Sequence, residues 1–427
     1  MSFQPKEIVK RPRQRMDQAE LDRVVLSHER FQAGRPGGQR AVLSYMDLSR
    51  VSLIGKNLSN ATLTASFLID ANLAGVDLSH ANLFGCDFTR ANLRDACLVR
   101  ADLRGACLRR ADLTGANLFD ADLRDGGLAQ RERNGEIVAV AVAQNATELG
   151  GATMARANLS RARLSGASAL HTDFSDALMQ GCKLIRADLR HANLSGANLE
   201  SADLSGADLR GADLRNAVLM NATMSAVEIA GADLEGTLTN AEAGHSLYTL
   251  GRPLEELVSL HQLWVQSFGA DGKQLDLSGF DLRGTTDLAR GALAMLKASK
   301  AVFFGLDLDG AGLQAAQLDG ADLRSCRLAR VDLRGVNLER ARLNFADLRD
   351  CNLGPLVVGE GRLMPSRLAA AEFCHADLRG ADLKRADCRG ANFSSANLSG
   401  ARRAGSNFTG AITEGTIGLT DGFACEN

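Results

Sequence analysis

The side chains that could do chemistry in this chain are many and evenly spread. Carboxylates recur at Asp102, Asp112, Asp122, Asp188, Asp203, Asp208 and Asp213. Two carboxylates can act as general acid and base only when their environments differ and are shielded. These aspartates each fill the same slot of a repeated unit, which predicts a solvated outward ladder and no catalytic pair. Nine cysteines stand at 86, 97, 107, 182, 326, 351, 374, 388 and 425, with no CxxC pair and no framework of the kind that staples small secreted domains. Cys86, Cys182, Cys326 and Cys351 take the small-residue slot of the unit and Cys388 its Leu slot, where cysteine packs as a small hydrophobe. The seven histidines show no ligand spacing. A P-loop, a GxGxxG between strand and helix, and a nucleophile elbow are all missing. These absences predict a protein that is not an enzyme and that holds no cofactor and no metal.

The elements that position these residues follow from a period of five. From Leu43 to Leu128 an apolar residue, usually Leu, falls at every fifth position, and the residue two before it is usually small, as in Ala71-Asn72-Leu73 and Cys86-Asp87-Phe88. A helix advances about 100° per residue, so residues five apart drift and form no stripe. In an extended strand the small residue and the Leu share one side while the Asp or Asn between them points away. The next small residue comes three positions later, so the chain must bend once per unit to keep it inside. The bend falls on the two residues after each Leu. The second is repeatedly Gly, at 105, 115, 206, 211, 335, 380 and 390, as a turn with positive φ favours.

The A(D/N)LxX unit resembles that of the pentapeptide repeat family, and the match runs over most of the chain. The resemblance implies an all-β solenoid, a right-handed quadrilateral β-helix with four pentads per coil. Residues twenty apart then stack at about 4.8 Å. Cys97 and Cys107 point outward onto opposite faces of such a coil and cannot share a metal site. A coil filled by its own side chains leaves no pocket of ordinary ligand size. Some members of the family resemble duplex DNA in shape and charge, bind DNA gyrase or topoisomerase IV, and protect the enzyme from quinolones or toxins. A projecting loop often matters in them.

Interruptions divide the chain. The frame breaks after Leu128 and resumes, shifted by one, at Met154. Between them, Arg131, Arg133, Asn134, Gly135 and Glu136 precede the alternating Ile137 to Val142, a signal for a hairpin, to be read either as a tolerated loop insertion or as a partner-contacting arm. After Leu234 a helical segment begins at Pro253, with Leu254, Leu257 and Trp264 on one face. It aligns with an N-terminal helix, LDRVVLSHERFQAG against LEELVSLHQLWVQS, pairing His28 with His261 and Phe31 with Trp264. Asp17 and Glu20 are placed as a capping box. The plan predicts two modules, each preceded by a short capping α-helix that covers an open coil end, with His28, Phe31, His261 and Trp264 in structural capping roles. The expected segments are a basic N-terminal arm (1–16), capping helix and turn (17–42), solenoid (43–128), inserted hairpin (129–152), solenoid continued (153–236), linker and second capping helix (237–276), second solenoid (277–413) and tail (414–427). Residues 284–302 allow either a short helix or irregular coil. The pentads blurred over Gly354 to Pro365 keep frame and are read as coil. The stretch after Phe408 either caps the last coil or leaves it open for a homodimer.

The formal net charge is −2, so no global field selects nucleic acid or an anionic membrane. Arginines after the Leu, such as Arg104, Arg124, Arg190 and Arg334, interleave with the aspartates, a mixture that reads as a soluble surface. Leu43 to Leu128 holds nine Lys/Arg against ten Asp/Glu, and Met154 to Leu234 eight against nine, which is not the acidic cylinder that DNA mimicry needs. The N-terminal run Lys10, Arg11, Arg13 and Arg15 is denser, reads as a disordered arm and is a candidate for docking to an acidic partner or nucleic acid. With no apolar leader and no stretch of membrane-spanning length, the chain reads as cytosolic. The expected function is a scaffold for an unidentified protein partner, with gyrase or topoisomerase as the alternative, and with neither membrane nor direct nucleic-acid binding.

Overall fold

The computed structural model describes residues 14–126, 128–131, 137–140, 146–285 and 288–419. The chain divides into two compact units, Met1–Asn240 and Ala241–Asn427.

Unit 1 is built on parallel bridges between residues twenty apart, such as Val42↔Thr62, Asp47↔Phe67, Ser52↔Asn72 and Asn57↔Asp77. One bridge per pentad and a repeat of twenty give a coil of four sides. The pentad from Asp87 to Ala91 shows why this sequence holds that shape. Asp87 N–H donates to Ser66 O at 2.9 Å, Phe88 N–H to Cys107 O at 2.7 Å, Arg90 N–H to Arg109 O at 3.0 Å and Ala91 N–H to Phe88 O at 2.8 Å. The fifth, Thr89 N–H, donates to Asp87 Oδ1 at 2.9 Å. All five donors are satisfied, and the Asp or Asn of the unit supplies the last acceptor as an Asx turn. The outward aspartates are therefore structural parts of the turn, more than a solvated face.

The bend carries positive φ at the second residue after most inward Leu or Phe residues, whether Gly (Gly105, +64°; Gly211, +67°) or not (Arg90, +58°; His191, +55°). A side chain there costs about 1–2 kcal/mol, and the corner N–H bonded to the next coil holds it in place. Inside, Leu and Ala ladders are buried, joined by Phe88, Phe174, Phe303, Phe373 and Phe393. Phe373 and Phe393 stack with centroids 4.8 Å apart.

Each unit is interrupted by an inserted hairpin. In unit 1, Cys107 bridges Glu148 in place of a residue twenty on. Between them the strands β3 (Leu128–Arg131) and β4 (Ile137–Val140) pair antiparallel. Leu128 thus opens a hairpin strand, Leu123 is the last inward Leu before it, and Leu149 is already inward again. In unit 2, Asn337 bridges Arg367. The pentads expected as coil over Gly354 to Pro365 instead form a second antiparallel hairpin, β5 (Leu356–Val358) with β6 (Arg362–Met364). Its extra residues amount to two whole pentads, so the frame cannot betray them. Residues 288–302 are coil, with Ala292 bridged to Gly312 and Lys297 to Gln317.

A helix precedes the coils of each unit: α1 (Gln18–Gln32) in unit 1 and α2 (Leu254–Gln266) in unit 2. Glu20 N–H donates to Asp17 Oδ1 at 2.8 Å, completing a capping box at the start of α1. Just before α1, β1 (Gln14–Arg15) runs parallel to β2 (Met46–Asp47). The end of the expected basic arm is therefore paired with the first coil. His245 does the same before α2, bridging Phe280.

Candidate interaction surfaces

Besides the Asx turn, a recurring polar device on the sides is a fork. In Asp-Leu-Arg triplets the Arg Nε and Nη2 donate to the two carboxylate oxygens two residues back. The distances are 2.8 and 2.8 Å for Arg190 on Asp188, and 2.9 and 2.6 Å for Arg215 on Asp213. Such bidentate pairs fix geometry as well as charge. The Arg190 fork holds the Asp188 carboxyl below the usual carboxylate range, and Arg349 does the same to Asp347. Forks also reach the next coil, with Arg190 Nε 3.7 Å from Asp208 and Arg349 Nε 3.8 Å from Asp377. In unit 2, Arg324 is only 1% exposed and forked to Asp322. The mixed charge that looks like generic solubility in the sequence is thus mostly paired within the chain.

Six of the described cysteines, Cys86, Cys182, Cys326, Cys351, Cys374 and Cys388, are core. Cys182, Cys326 and Cys351 are buried, and burial pushes their thiols well up. The Cys388 thiol is pushed up to about 12. Cys86 and Cys326 donate their Sγ hydrogens to Leu63 O and Phe303 O. Cys97 and Cys107, half-exposed, stand in the outward slot ten residues apart, bridged to Asn117 and Glu148. Among the described residues no group of three or more His, Cys, Asp or Glu could hold a metal ion, and no helix is long and apolar enough to cross a membrane.

His28 and His261 are both fully buried. His28 Nδ1 accepts from Ala41 N–H at 3.0 Å, so the neutral ring carries its hydrogen on Nε2 and donates it to Ser59 O at 3.0 Å. His261 Nδ1 likewise accepts from Leu275 N–H at 3.1 Å. Its Nε2 finds no partner at hydrogen-bonding geometry among the described residues, although the carbonyls of Leu293 and Ala294 face it. Burial lowers the pKa of each ring. Phe31 stacks on His28 and half-buried Trp264 on His261, with centroids 6.3 and 5.8 Å apart. Gln18 of α1 also meets Ser52, donating to its O at 2.9 Å and accepting from its N–H at 2.8 Å.

Two shallow clefts lie in unit 1. One of about 520 Å³ is bounded by Asp22, Leu26, Ile54 and Lys56, and one of about 190 Å³ by Asp87, Cys107, Arg109 and Glu148. Of the residues expected to contact a partner, Arg15 is exposed in β1, and Arg131 ends β3 opposite Ile137. Lys10, Arg11, Arg13, Arg133, Asn134, Gly135 and Glu136 lie outside the described residues.

The repeat geometry agrees with sequence comparison. The model of a family described as Pentapeptide repeats matches in eight copies, spread over 57–125, 146–238, 316–354 and 376–412, more than half of the chain. The chain belongs to the pentapeptide repeat family. No curated protein matches the sequence. Among solved structures, trypsin-treated QnrB1, a plasmid-mediated fluoroquinolone resistance protein, is 19% identical with a TM-score of 0.28, covering 55% of this chain and 98% of its own. HetL, involved in heterocyst differentiation regulation in the cyanobacterium Nostoc, is 20% identical with a TM-score of 0.13, covering 94% and 96%. Rfr23 from the cyanobacterium Cyanothece is 22% identical with a TM-score of 0.18, covering 36% and 91%. These values carry no statement about partners.

Proposed function

We propose that this pentapeptide repeat protein is a non-enzymatic scaffold that binds another protein through its solenoid sides and the β3–β4 hairpin. The observation that carries this reading is the character of the sides. Their backbone donors are spent on the ladder and many of their arginines on forks, which leaves flat, rigid walls interrupted by hairpins. Such walls suit extended contact more than enclosure of a substrate. In this reading the coils are right-handed, as in the family, and form two modules. The helices α1 and α2 act as their caps, with His28 and His261, backed by Phe31 and Trp264, seating each helix on the first coil. Arg131, Arg133, Asn134, Gly135 and Glu136 belong to the contacting arm, and Lys10, Arg11, Arg13 and Arg15 to a basic docking segment. The proposed compartment is the cytosol.

The test is an affinity pull-down from native lysate, comparing the intact chain with one in which residues 130–145 are replaced by a short linker. A partner protein held by the intact chain and weakened or kept by the variant supports the scaffold and assigns the contact to hairpin or sides. Recovery of gyrase or topoisomerase subunits by the intact chain alone would replace it with the DNA-mimicking reading. Recovery of nothing by either chain would remove the basis for a scaffold.

A further inference from the structure

Charge on unit 1 changes abruptly from coil to coil along one side. That side is marked by the bridged ladder Asp102, Asp122, Arg163, Lys183 and Asp203. Across it and its two bounding corners, the two coils after the β3–β4 insertion read Ser160-Arg-Ala-Arg-Leu-Ser-Gly166 and Gln180-Gly-Cys-Lys-Leu-Ile-Arg186. Neither stretch contains an acid. The four cations Arg161, Arg163, Lys183 and Arg186 are all exposed. The carboxylates of the coil that starts with them, Asp173 and Asp176, lie on the opposite side and its corner, where Asp173 bridges Thr153 and Asn193.

These cations differ from the forked arginines because no Asp stands two residues before any of them. Asp122 comes within 3.8 Å of Arg163, but it already receives Arg124 at 2.9 and 2.7 Å. Arg161 lies with its guanidinium carbon 5.5 Å from the Phe119 ring centroid, a cation–π contact that orients the group without using its N–H edge on an acid. Arg163 and Lys183 sit one coil apart, about 4.8 Å along the ladder. The hairpin leaves the solenoid after Arg124, at the corner on which Gly166 and Arg186 follow in register. Basic band and hairpin therefore share one edge of unit 1.

We propose that Arg161, Arg163, Lys183 and Arg186 form a docking site for an acidic segment of a partner protein, a short run of carboxylate side chains. This rests on the scaffold reading. The band is bordered on both sides by acids, Asp120, Asp122 and Asp125 on the coil before and Glu200 and Asp203 on the coil after. A phosphodiester chain, whose affinity grows with each further phosphate neutralised, would run into those carboxylates. Two or three side-chain carboxylates fit within the band, and guanidinium groups take them bidentately.

The test measures fluorescence anisotropy of a labelled hexaglutamate peptide with the full chain at low salt. The proposal expects saturable binding, weakened about tenfold or more in Arg163→Gln/Lys183→Gln, as lost charge-assisted hydrogen bonds dictate. The control Lys384→Gln/Arg385→Gln removes the same charge from exposed positions of unit 2 and should bind as the parent does. Equal weakening in both variants, or no binding by the parent, overturns the site. So does tighter binding of a single-stranded oligonucleotide that the same pair of substitutions abolishes. If Arg163→Gln/Lys183→Gln captures its lysate partner as well as the parent does, the acidic-segment site fails while the scaffold stands. If hexaglutamate binds as expected and no lysate protein is captured, the scaffold fails instead.

Discussion

An aspartate two residues before an arginine has two separable tasks in this chain, and substitution can tell them apart. Asp332 Oδ1 accepts Arg334 N–H at 3.2 Å as an Asx turn, and its two oxygens receive the guanidinium at 2.9 and 2.6 Å. Asp332→Asn keeps the turn acceptor and loses the fork together with the bond that Gln314 Nε2 donates to Oδ2 at 2.7 Å, and should cost about 1 kcal/mol, the range of half-exposed ion pairs and single hydrogen bonds. Asp332→Ala also strands the N–H and should cost about 1–3 kcal/mol. Urea unfolding checks the order, and an Asn variant as unstable as the Ala one would show that the fork dominates. Sequence spacing alone placed the aspartates outward. The fork was not legible because it depends on a side-chain rotamer, although the triplet that signals it recurs plainly. A second contrast concerns corner glycines. Ala already occupies corners at Ala65 and Ala370 with φ of +56°, so Gly166, with open space around it, should accept Ala for about 1 kcal/mol of backbone strain. At Gly335 an added methyl would sit 2.7 Å from Met364 Cε and 2.9 Å from Leu356 Cβ. Gly335→Ala should cost clearly more and should speed amide exchange in β5 and β6. Equal losses at the two sites would mean that the hairpin does not rest on this corner.

At the scale of elements, the two helices were legible because their apolar faces and His positions repeat, while what they bind was not. The partners of His28 are backbone groups of Ala41 and Ser59, which no residue type announces. This arrangement needs a neutral ring, since protonating Nδ1 would remove the acceptor for Ala41 N–H. Burial lowers the His28 pKa below its ordinary 6.5, opposed by the Ser59 carbonyl and assisted by the Arg40 charge. A base whose pKa is lowered on folding contributes fully above the unfolded value, and its contribution is lost as pH falls from about 6.5 through the folded value. Melting temperature should therefore drop between pH 7.5 and 5.0, a window above the lowered range of carboxyls such as Asp188 and Asp213. His28→Gln should flatten part of that slope while lowering stability at pH 7.5. A variant with the parent's slope would show that His28 does not titrate in this range. The hairpins were unequally legible for a reason of arithmetic. The β3–β4 insertion shifts the frame by one and leaves a visible break, whereas β5–β6 adds whole pentads and hides.

For the whole chain, the period of five was enough to specify coils because every level of the sequence agrees with it: inward Leu and Ala, Asx acceptors, and corners that tolerate positive φ. It could not specify how far cooperativity extends. The buried residues form two separate clusters, one from Leu21 to Leu219 and one from Leu254 to Leu398. In a solenoid each coil draws stability from its neighbours in the stack, so a core defect should spread within its own cluster. Leu113 is fully buried in the first cluster and Leu343 in the second. Each Leu→Ala change should cost about 2–5 kcal/mol locally. Calorimetry on the intact chain should then resolve two transitions, with Leu113→Ala lowering one and Leu343→Ala the other. A single transition that both substitutions lower equally would mean that the two cores melt cooperatively, and that the period of five sets the coil but not the unit of folding.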